Sequence, residues 1–352
     1  MLQSTVSLML DDETHATRKV DVAVVGLGEW GPNLLRVLGD NLDVQVRWIC
    51  DLDSSRLAKC RHRHPVARVT TRLDRILDDP GVDAVVFATP VETHYKLAMR
   101  ALAAGKHVFV KSPLATSAEL ADDLATLAHE RRRIVICGHT FPYSPPVRAL
   151  GRFIDTGTLG DISFISSRRV NLGLDHRVGS VIWDLGPDDF SILLSWLREM
   201  PTSLRAVGRD SVFRGIADVA FVTMRFASGI VVNVELSWLA PTRLSRTVIV
   251  GSERTVVYDA GGAEPVRVFD CRGGDTVSPN IESYEPLELQ LGEFVRAIRA
   301  GDLMEHETTL ARSVVEIAEA ADESLRLGGA EVSLIGEEAR DQLTARRGLA
   351  AV

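Results

Sequence analysis

The fold class this sequence predicts is α/β, an N-terminal doubly wound parallel sheet followed by an α+β domain with a large open sheet. Three observations carry it. Short continuous apolar runs alternate with helix-like stretches up to about residue 142, a G-x-G-x-x-G turn follows the first run, and longer alternating segments fill the rest. Continuous apolar strands separated by helices mean βαβ units with both sheet faces covered, whereas period-two alternation means one packed face and one wetter face.

Taken in order, residues 1–18 read as a flexible extension, mildly apolar and then acidic at Asp11–Glu13, with no basic stretch of the kind that opens an export signal. Residues 19–142 form the first domain. Its strands are Val20–Gly26, Val44–Asp51, Asp83–Thr89, His107–Ser112 and Ile134–Gly138, with helices over Asn33–Leu38, Thr93–Ala104 and Ser117–Glu130. After Pro145–Pro146 a helix over Val147–Thr156 opens the second domain, residues 143–335. Alternating segments at 162–170, 203–210, 218–227, 230–239, 246–252 and 254–260 predict a mostly antiparallel sheet. Amphipathic helices over Leu287–Arg299 and Thr308–Leu327 complete it, and residues 336–352 are a polar tail.

The 352 residues are 45% hydrophobic and 25% charged, ordinary globular usage. Cys50, Cys60, Cys137 and Cys271 lie far apart without a C-x-x-C pair, which argues against a zinc site or a secreted disulfide framework and fits a cytoplasmic protein. No apolar run approaches the roughly 18 residues of a membrane span. A net charge of −8 gives no electrostatic reason for a nucleic-acid partner. The expected ligand is a small molecule.

The sharpest motif is Gly26-Leu27-Gly28-Glu29-Trp30-Gly31, placed between a strand and a helix. Gly26 permits the tight turn, Gly28 lets a pyrophosphate approach the backbone, and Gly31 allows close helix–strand packing with the helix N-terminus facing the phosphates. The second strand ends at Asp51, about twenty residues on, where an acid bonds the adenosine ribose and favours NAD over NADP. Capping of the next helix is the competing task for Asp51, and Asp53 is equally placed for it. Arg56 is the residue nearby that could accommodate a 2′-phosphate.

Several stretches in order then resemble the glucose-fructose oxidoreductase / inositol dehydrogenase / rhizopine catabolism (Gfo/Idh/MocA) family of NAD(P)-dependent sugar and cyclitol oxidoreductases. They are GLGEWGPNLLR, ATPVETHYKLAMRALAAGKHVFVKSPLA, GHTFPYSPPVRAL, WDLGPDDFSILL, DVAFVTMRF with VELSWL, and GEFVRAIRAG. The resemblance implies a cofactor site that also takes in Glu29, Trp30, Thr89, Pro90, His94, Lys111, Ser112 and Pro113. It implies a polyhydroxylated substrate near Tyr143, Asn171 and Arg177, and a homodimer or homotetramer formed through the open sheet around Trp238.

Two positions depart from the family pattern. Ser112 stands where the family's lysine polarises the reacting oxygen, with Lys111 one place earlier and on the opposite face of an extended strand. Asp188 stands where the family's histidine exchanges a proton with substrate, four residues after Asp184 and on the same helix face. Two neighbouring carboxylates can do acid–base work if their mutual repulsion raises one pKa, and a solvated or capping role is the plain alternative for Asp188. His176 in the NLGLDH loop, His94 and His139 are further proton-handling candidates, His176 foremost.

Two functions follow. One is an NAD(P)-dependent oxidoreductase with a non-standard acid–base set of Asp184, Asp188, Lys111 and His176. The other is a nucleotide-binding relative with non-redox chemistry, such as elimination or cyclisation, or with no catalysis.

Overall fold

The computed structural model describes residues 18–173, 179–271, 273–274 and 276–335. In chain order the elements begin with β1 (Val20–Val25), α1 (Gly31–Asp40), β2 (Val44–Cys50), α2 (Ser54–Arg63), β3 (Arg68–Thr70), α3 (Asp74–Leu77) and β4 (Ala84–Phe87). Next come α4 (Val91–Ala103), β5 (His107–Lys111), α5 (Ala118–Arg131), β6 (Val135–Gly138), a 3₁₀ turn at Phe141–Tyr143, α6 (Pro145–Asp155), β7 (Ile162–Leu172) and α7 (Val181–Leu197). The remainder is β8 (Pro201–Arg209), β9 (Val219–Phe226), β10 (Val231–Ser237), β11 (Leu239–Gly251), β12 (Arg254–Asp259), β13 (Val266–Asp270), β14 (Thr276–Val277), α8 (Pro286–Ala300), α9 (Glu305–Arg326) and β15 (Val332–Ser333).

Two compact units divide the chain. The first reaches Thr140 and takes in Tyr284–Arg312; the second holds Phe141–Ser283 and the chain from Ser313 on. In the first, six parallel strands lie in the order β3-β2-β1-β4-β5-β6, the Rossmann arrangement in which ligands meet the carboxyl ends of the strands. The VDVAVV run of β1 is buried except at Asp21, as a strand covered on both faces must be. Asp53 accepts a hydrogen bond from the Ser55 amide and caps α2, a helix whose single buried residue is Leu57.

In the second unit nine strands form one sheet, β14-β13-β12-β11-β7-β10-β9-β8-β15. It is antiparallel throughout except where β10 runs parallel to β7. The α7 helix packs on β7, β9 and β10, burying Phe190, Leu193 and Leu194 as its apolar periodicity requires.

Three sequence expectations change. The helix predicted over Leu287–Arg299 was placed in the second domain, yet α8 buries Leu287, Leu291, Phe294 and Val295 in the same core as Val22, Val24 and Phe109. An amphipathic stripe states that a face is covered, not by what. Trp238, expected on an exposed sheet face, is fully buried. Finally α2, β3 and the short strands from β13 onward carried too little apolar periodicity to be singled out. Residues 1–17 and the tail at 336–352 lie outside the described residues.

Phe294 is fully buried, with its ring centroid 5.9 Å from that of Phe109. Phe294→Ala is expected to destabilise the parallel-sheet unit by about 3–5 kcal/mol, read as a lower urea midpoint; an unchanged midpoint would contradict this packing.

Candidate active site

The carboxyl ends of β1, β2, β4, β5 and β6 bring the glycine turn, Asp51, Thr89, Lys111 and His139 to one edge of the parallel sheet. Gly26 has φ +95°, a left-handed conformation, and a Cβ there would lie 2.6 Å from the Ala88 carbonyl oxygen. A Cβ on Gly31 would meet the Gly26 carbonyl oxygen at 2.1 Å, while one on Gly28 would meet nothing within 4 Å. Two positions are thus closed by backbone and one is open to a ligand. Behind the turn, α1 begins with no side-chain cap bond and no acidic residue in its first turn. Its amides and dipole are therefore available to an anion. These residues fit a dinucleotide pyrophosphate.

Asp51 is buried at the end of β2. Its Oδ2 accepts the Leu27 amide at 2.6 Å and its Oδ1 accepts the Asp53 amide at 2.7 Å. The carboxylate therefore braces the glycine turn, and Asp53 is the residue that caps α2. Each oxygen keeps a second lone pair for a ribose hydroxyl. Arg56, half exposed, lies 3.7 Å from Asp51 and 3.6 Å from Asp53.

On β5, the Lys111 ammonium lies 5.3 Å from the ring centroid of Trp30, a 43% exposed residue of the glycine turn. Glu29, the residue before Trp30, is exposed. Ser112 is buried and joined to Pro113 by a cis peptide bond. His94 is also buried, its Nδ1 at 2.8 Å from the Pro113 carbonyl oxygen and its Nε2 at 2.7 Å from that of Thr89. With both nitrogens so occupied, its place is to hold two loops together. Burial lowers its pKa, partly offset by those two carbonyls. Thr89 accepts the Thr93 hydroxyl at 2.8 Å, and Pro90 stands exposed at the start of α4.

In the second unit, polar residues gather between β7 and α7. Arg169 is 5% exposed, and its Nε donates to Asp189 Oδ2 at 2.5 Å while its Nη1 lies 3.3 Å from Asp188 Oδ2. The Ser167 hydroxyl donates to Asp189 Oδ1 at 2.6 Å. The Arg169 guanidinium lies 4.4 Å from the Phe141 ring centroid. Burial pulls the pKa of Arg169 down, but Asp189 and then Asp188 more than offset this and leave it above the ordinary value. One turn before Asp188, Asp184 Oδ2 accepts the Trp238 indole N–H at 2.8 Å. The two aspartates each have their own partner, so the expectation of a mutually repelling pair gives way to one in which Asp188 faces a positive charge. Arg169 Nη2 and Asn171 Oδ1 are buried without hydrogen-bond partners. Tyr143 is 2% exposed, with the Arg148 guanidinium 4.9 Å from its ring centroid, which places it in the core. His176 and Arg177 lie outside the described residues.

The profile of an oxidoreductase family with an NAD-binding Rossmann fold matches residues 20–139, and that of the GFO/IDH/MocA C-terminal domain matches residues 147–257. The chain belongs to the Gfo/Idh/MocA oxidoreductases. Inositol 2-dehydrogenase 1 of Saccharopolyspora erythraea is 30% identical over 312 residues, covering 80% of this chain and 87% of that one. An inositol 2-dehydrogenase of Acidothermus cellulolyticus is 28% identical over 336 residues, covering 91% and 96%. The crystal structure of GenD2 from gentamicin A biosynthesis, in complex with NAD, superposes with a TM-score of 0.80 at 28% identity, covering 91% and 97%.

As a family member this chain is an NAD(P)-dependent oxidoreductase. No helix of the described residues is long and apolar enough to cross a membrane. Arg169 was missed in the sequence because consecutive arginines on an alternating strand read as solvated. The available signal was the inward-facing series Ser167, Arg169, Asn171.

Two outcomes test the nucleotide half. Gly31→Ala is expected to abolish NAD(H) binding and lower the melting temperature. Gly28→Ala, with space for its methyl, should keep the fold and weaken NAD(H) binding by calorimetry; normal binding by both variants would contradict the glycine assignment. A third concerns pH. Burial lowers the pKa of His107 to about 4 and that of His139 to about 3, from 6.5. The unfolded chain therefore takes up these protons first, and stability falls as the pH drops below about 6.5 towards 3. His139→Phe is expected to flatten that fall in urea midpoints, and an unchanged slope would contradict it.

Proposed function

We propose that this chain oxidises a secondary hydroxyl of a sugar or cyclitol with NAD, and that Asp188 accepts the hydroxyl proton. The observation that carries the reading is the Arg169–Asp188 contact at 3.3 Å. A buried guanidinium favours the ionised carboxylate, the form a proton acceptor needs. In the family pattern Asp188 occupies the place of the proton-exchanging histidine. Asp184, oriented by Trp238, would bond a neighbouring substrate hydroxyl. NAD, when bound, supplies the acceptor for the hydride leaving the same carbon.

Gly26, Gly28, Gly31 and the α1 N-terminus would hold the pyrophosphate, and Asp51 the adenosine ribose. NAD rather than NADP is supported by the Asp51 carboxylate behind the glycine turn, with Arg56 drawn towards Asp51 and Asp53. The NAD complex of GenD2 points the same way. Lys111 would add a positive charge beside the cofactor. A polyhydroxylated substrate is supported by the two inositol 2-dehydrogenase relatives.

A second copy of the chain is the partner we propose for the open sheet face. It presents Val207, Phe221 and Phe164 at 54%, 41% and 38% exposure, with Phe221 opposite Glu235 of the Arg168–Glu235 ion pair and Phe164 beyond the Thr223–Asn233 bond. Light scattering should give a dimer or tetramer, and Phe221→Glu should dissociate it; a monomeric native chain would end this proposal.

The chemistry is tested by nicotinamide absorbance over a panel of inositols and sugars. Asp188→Asn is expected to lower kcat by about 10²–10⁴-fold while NAD affinity, by calorimetry, is retained. Undiminished turnover in Asp188→Asn would remove Asp188 from the reaction.

A further inference from the structure

The half of the parallel sheet away from Asp51 carries a positive charge at its carboxyl edge. In the order β3-β2-β1-β4-β5-β6 the glycine turn follows β1, at the point where the strand order reverses. Asp51 stands on the β2 side of that turn, and Lys111, the last residue of β5, stands on the other. Lys111 pairs in register with Gly138, the last residue of β6. Its ammonium lies 5.3 Å from the Trp30 ring centroid, a contact that leaves the charge uncancelled. Among the described residues no carboxylate forms an ion pair with it.

Three neighbouring groups feel that charge. At His94, on α4, burial lowers the pKa and two carbonyls oppose it; Lys111 is the leading charge and lowers it further, ahead of Glu92. At Cys137, on β6, burial raises the pKa and Lys111 works against it, ahead of Glu307. At His139, just after β6, Lys111 adds to the lowering by burial. The carboxyl ends of β4, β5 and β6 therefore lie in a positive field whose main source is Lys111.

A dinucleotide laid across the glycine turn places its pyrophosphate at the start of α1 and one nucleoside over each half of the sheet. With the adenosine at Asp51, the nicotinamide falls on the half that holds Lys111. The ring of NAD is positively charged; on gaining a hydride, two electrons and one proton, it becomes neutral. A fixed ammonium repels the first form and not the second.

We infer that Lys111 makes the bound cofactor a stronger hydride acceptor, by disfavouring the charged ring of NAD relative to the neutral ring of NADH. This rests on the dehydrogenase reading above and gives Lys111 a place in it. The substrate carbon loses the hydride that the ring gains, and relief of the repulsion favours that direction. Lys111 thus sets the potential of the cofactor rather than carrying a proton.

The test is calorimetric titration of the full chain with NAD, NADH and ADP-ribose, which has the same pyrophosphate without the ring. Lys111→Met and Lys111→Gln each keep a long side chain beside Trp30 and remove the charge. In either variant NAD is expected to bind more tightly while NADH and ADP-ribose are unchanged, so the preference for NADH over NAD falls about tenfold. For a two-electron couple this lowers the potential of the bound pair by about 30 mV. Lys111→Arg, which keeps the charge, should keep the native preference. An unchanged preference in the uncharged variants overturns the inference. So does an equal loss of all three ligands, which would put Lys111 on the pyrophosphate. The native titration separates the two claims: if NAD and NADH bind and their ratio ignores Lys111, the inference falls alone, and if neither binds, the dehydrogenase reading falls with it.

Discussion

A buried guanidinium is the constraint around which the antiparallel-sheet unit is arranged. Removing a charge of this size from water costs several kcal/mol even after relaxation, and Arg169 is 5% exposed. Compensation comes from two successive residues of one helix. Asp189 takes the Nε bond and is itself fixed by Ser167, while Asp188 faces Nη1 from the more open side. Breaking the Asp189 contact would leave the buried charge to Asp188 alone, so the Asp189 bond holds the register of α7 against β7. Asp188 inherits its position from that register. Beside Arg169 a carboxylate at position 188 is stabilised, whereas an imidazolium there would be repelled.

Backbone sterics play the corresponding part in the parallel-sheet unit. The turn after β1 closes to within 2.1 Å of a position where any side chain would begin, and Asp51 pins it by accepting the Leu27 amide. The uncapped start of α1 is the consequence, an anion site made of amides rather than of charged side chains. His94 contributes at one remove, bridging the Thr89 and Pro113 carbonyls and so joining the loops after β4 and β5.

The sequence was most legible where period and glycine chemistry coincide. The runs at Val20–Val25 and Ala84–Phe87 are almost wholly apolar because both faces of their sheet are covered, and the role of each glycine followed from its place between strand and helix. It was least legible where a residue's partner is distant in the chain. The alternating series Ser167, Arg169, Asn171 is polar throughout and does not by itself mark Arg169 as inward and Arg168, which pairs with Glu235 across the strand, as outward. Trp238 read as an interface residue until its bond to Asp184 was visible. The apolar stripe of α8 gave a buried face without its partner, the core beneath β1. Short or charged elements such as Arg68–Thr70 and Ser54–Arg63 offered no periodicity to read.

In the proposed reaction the carboxylate of Asp188, held beside Arg169, takes the substrate proton. Chemical rescue tests it most directly. Asp188→Ala, saturated with NAD and with the best substrate of the inositol and sugar panel, is assayed for nicotinamide reduction with and without added formate. The variant is expected to be nearly inactive and its rate to rise with formate to a saturating value, since the small carboxylate enters the space beside Arg169 and accepts the proton. Full activity without formate, or inactivity that formate leaves unchanged while NAD still binds, would contradict it.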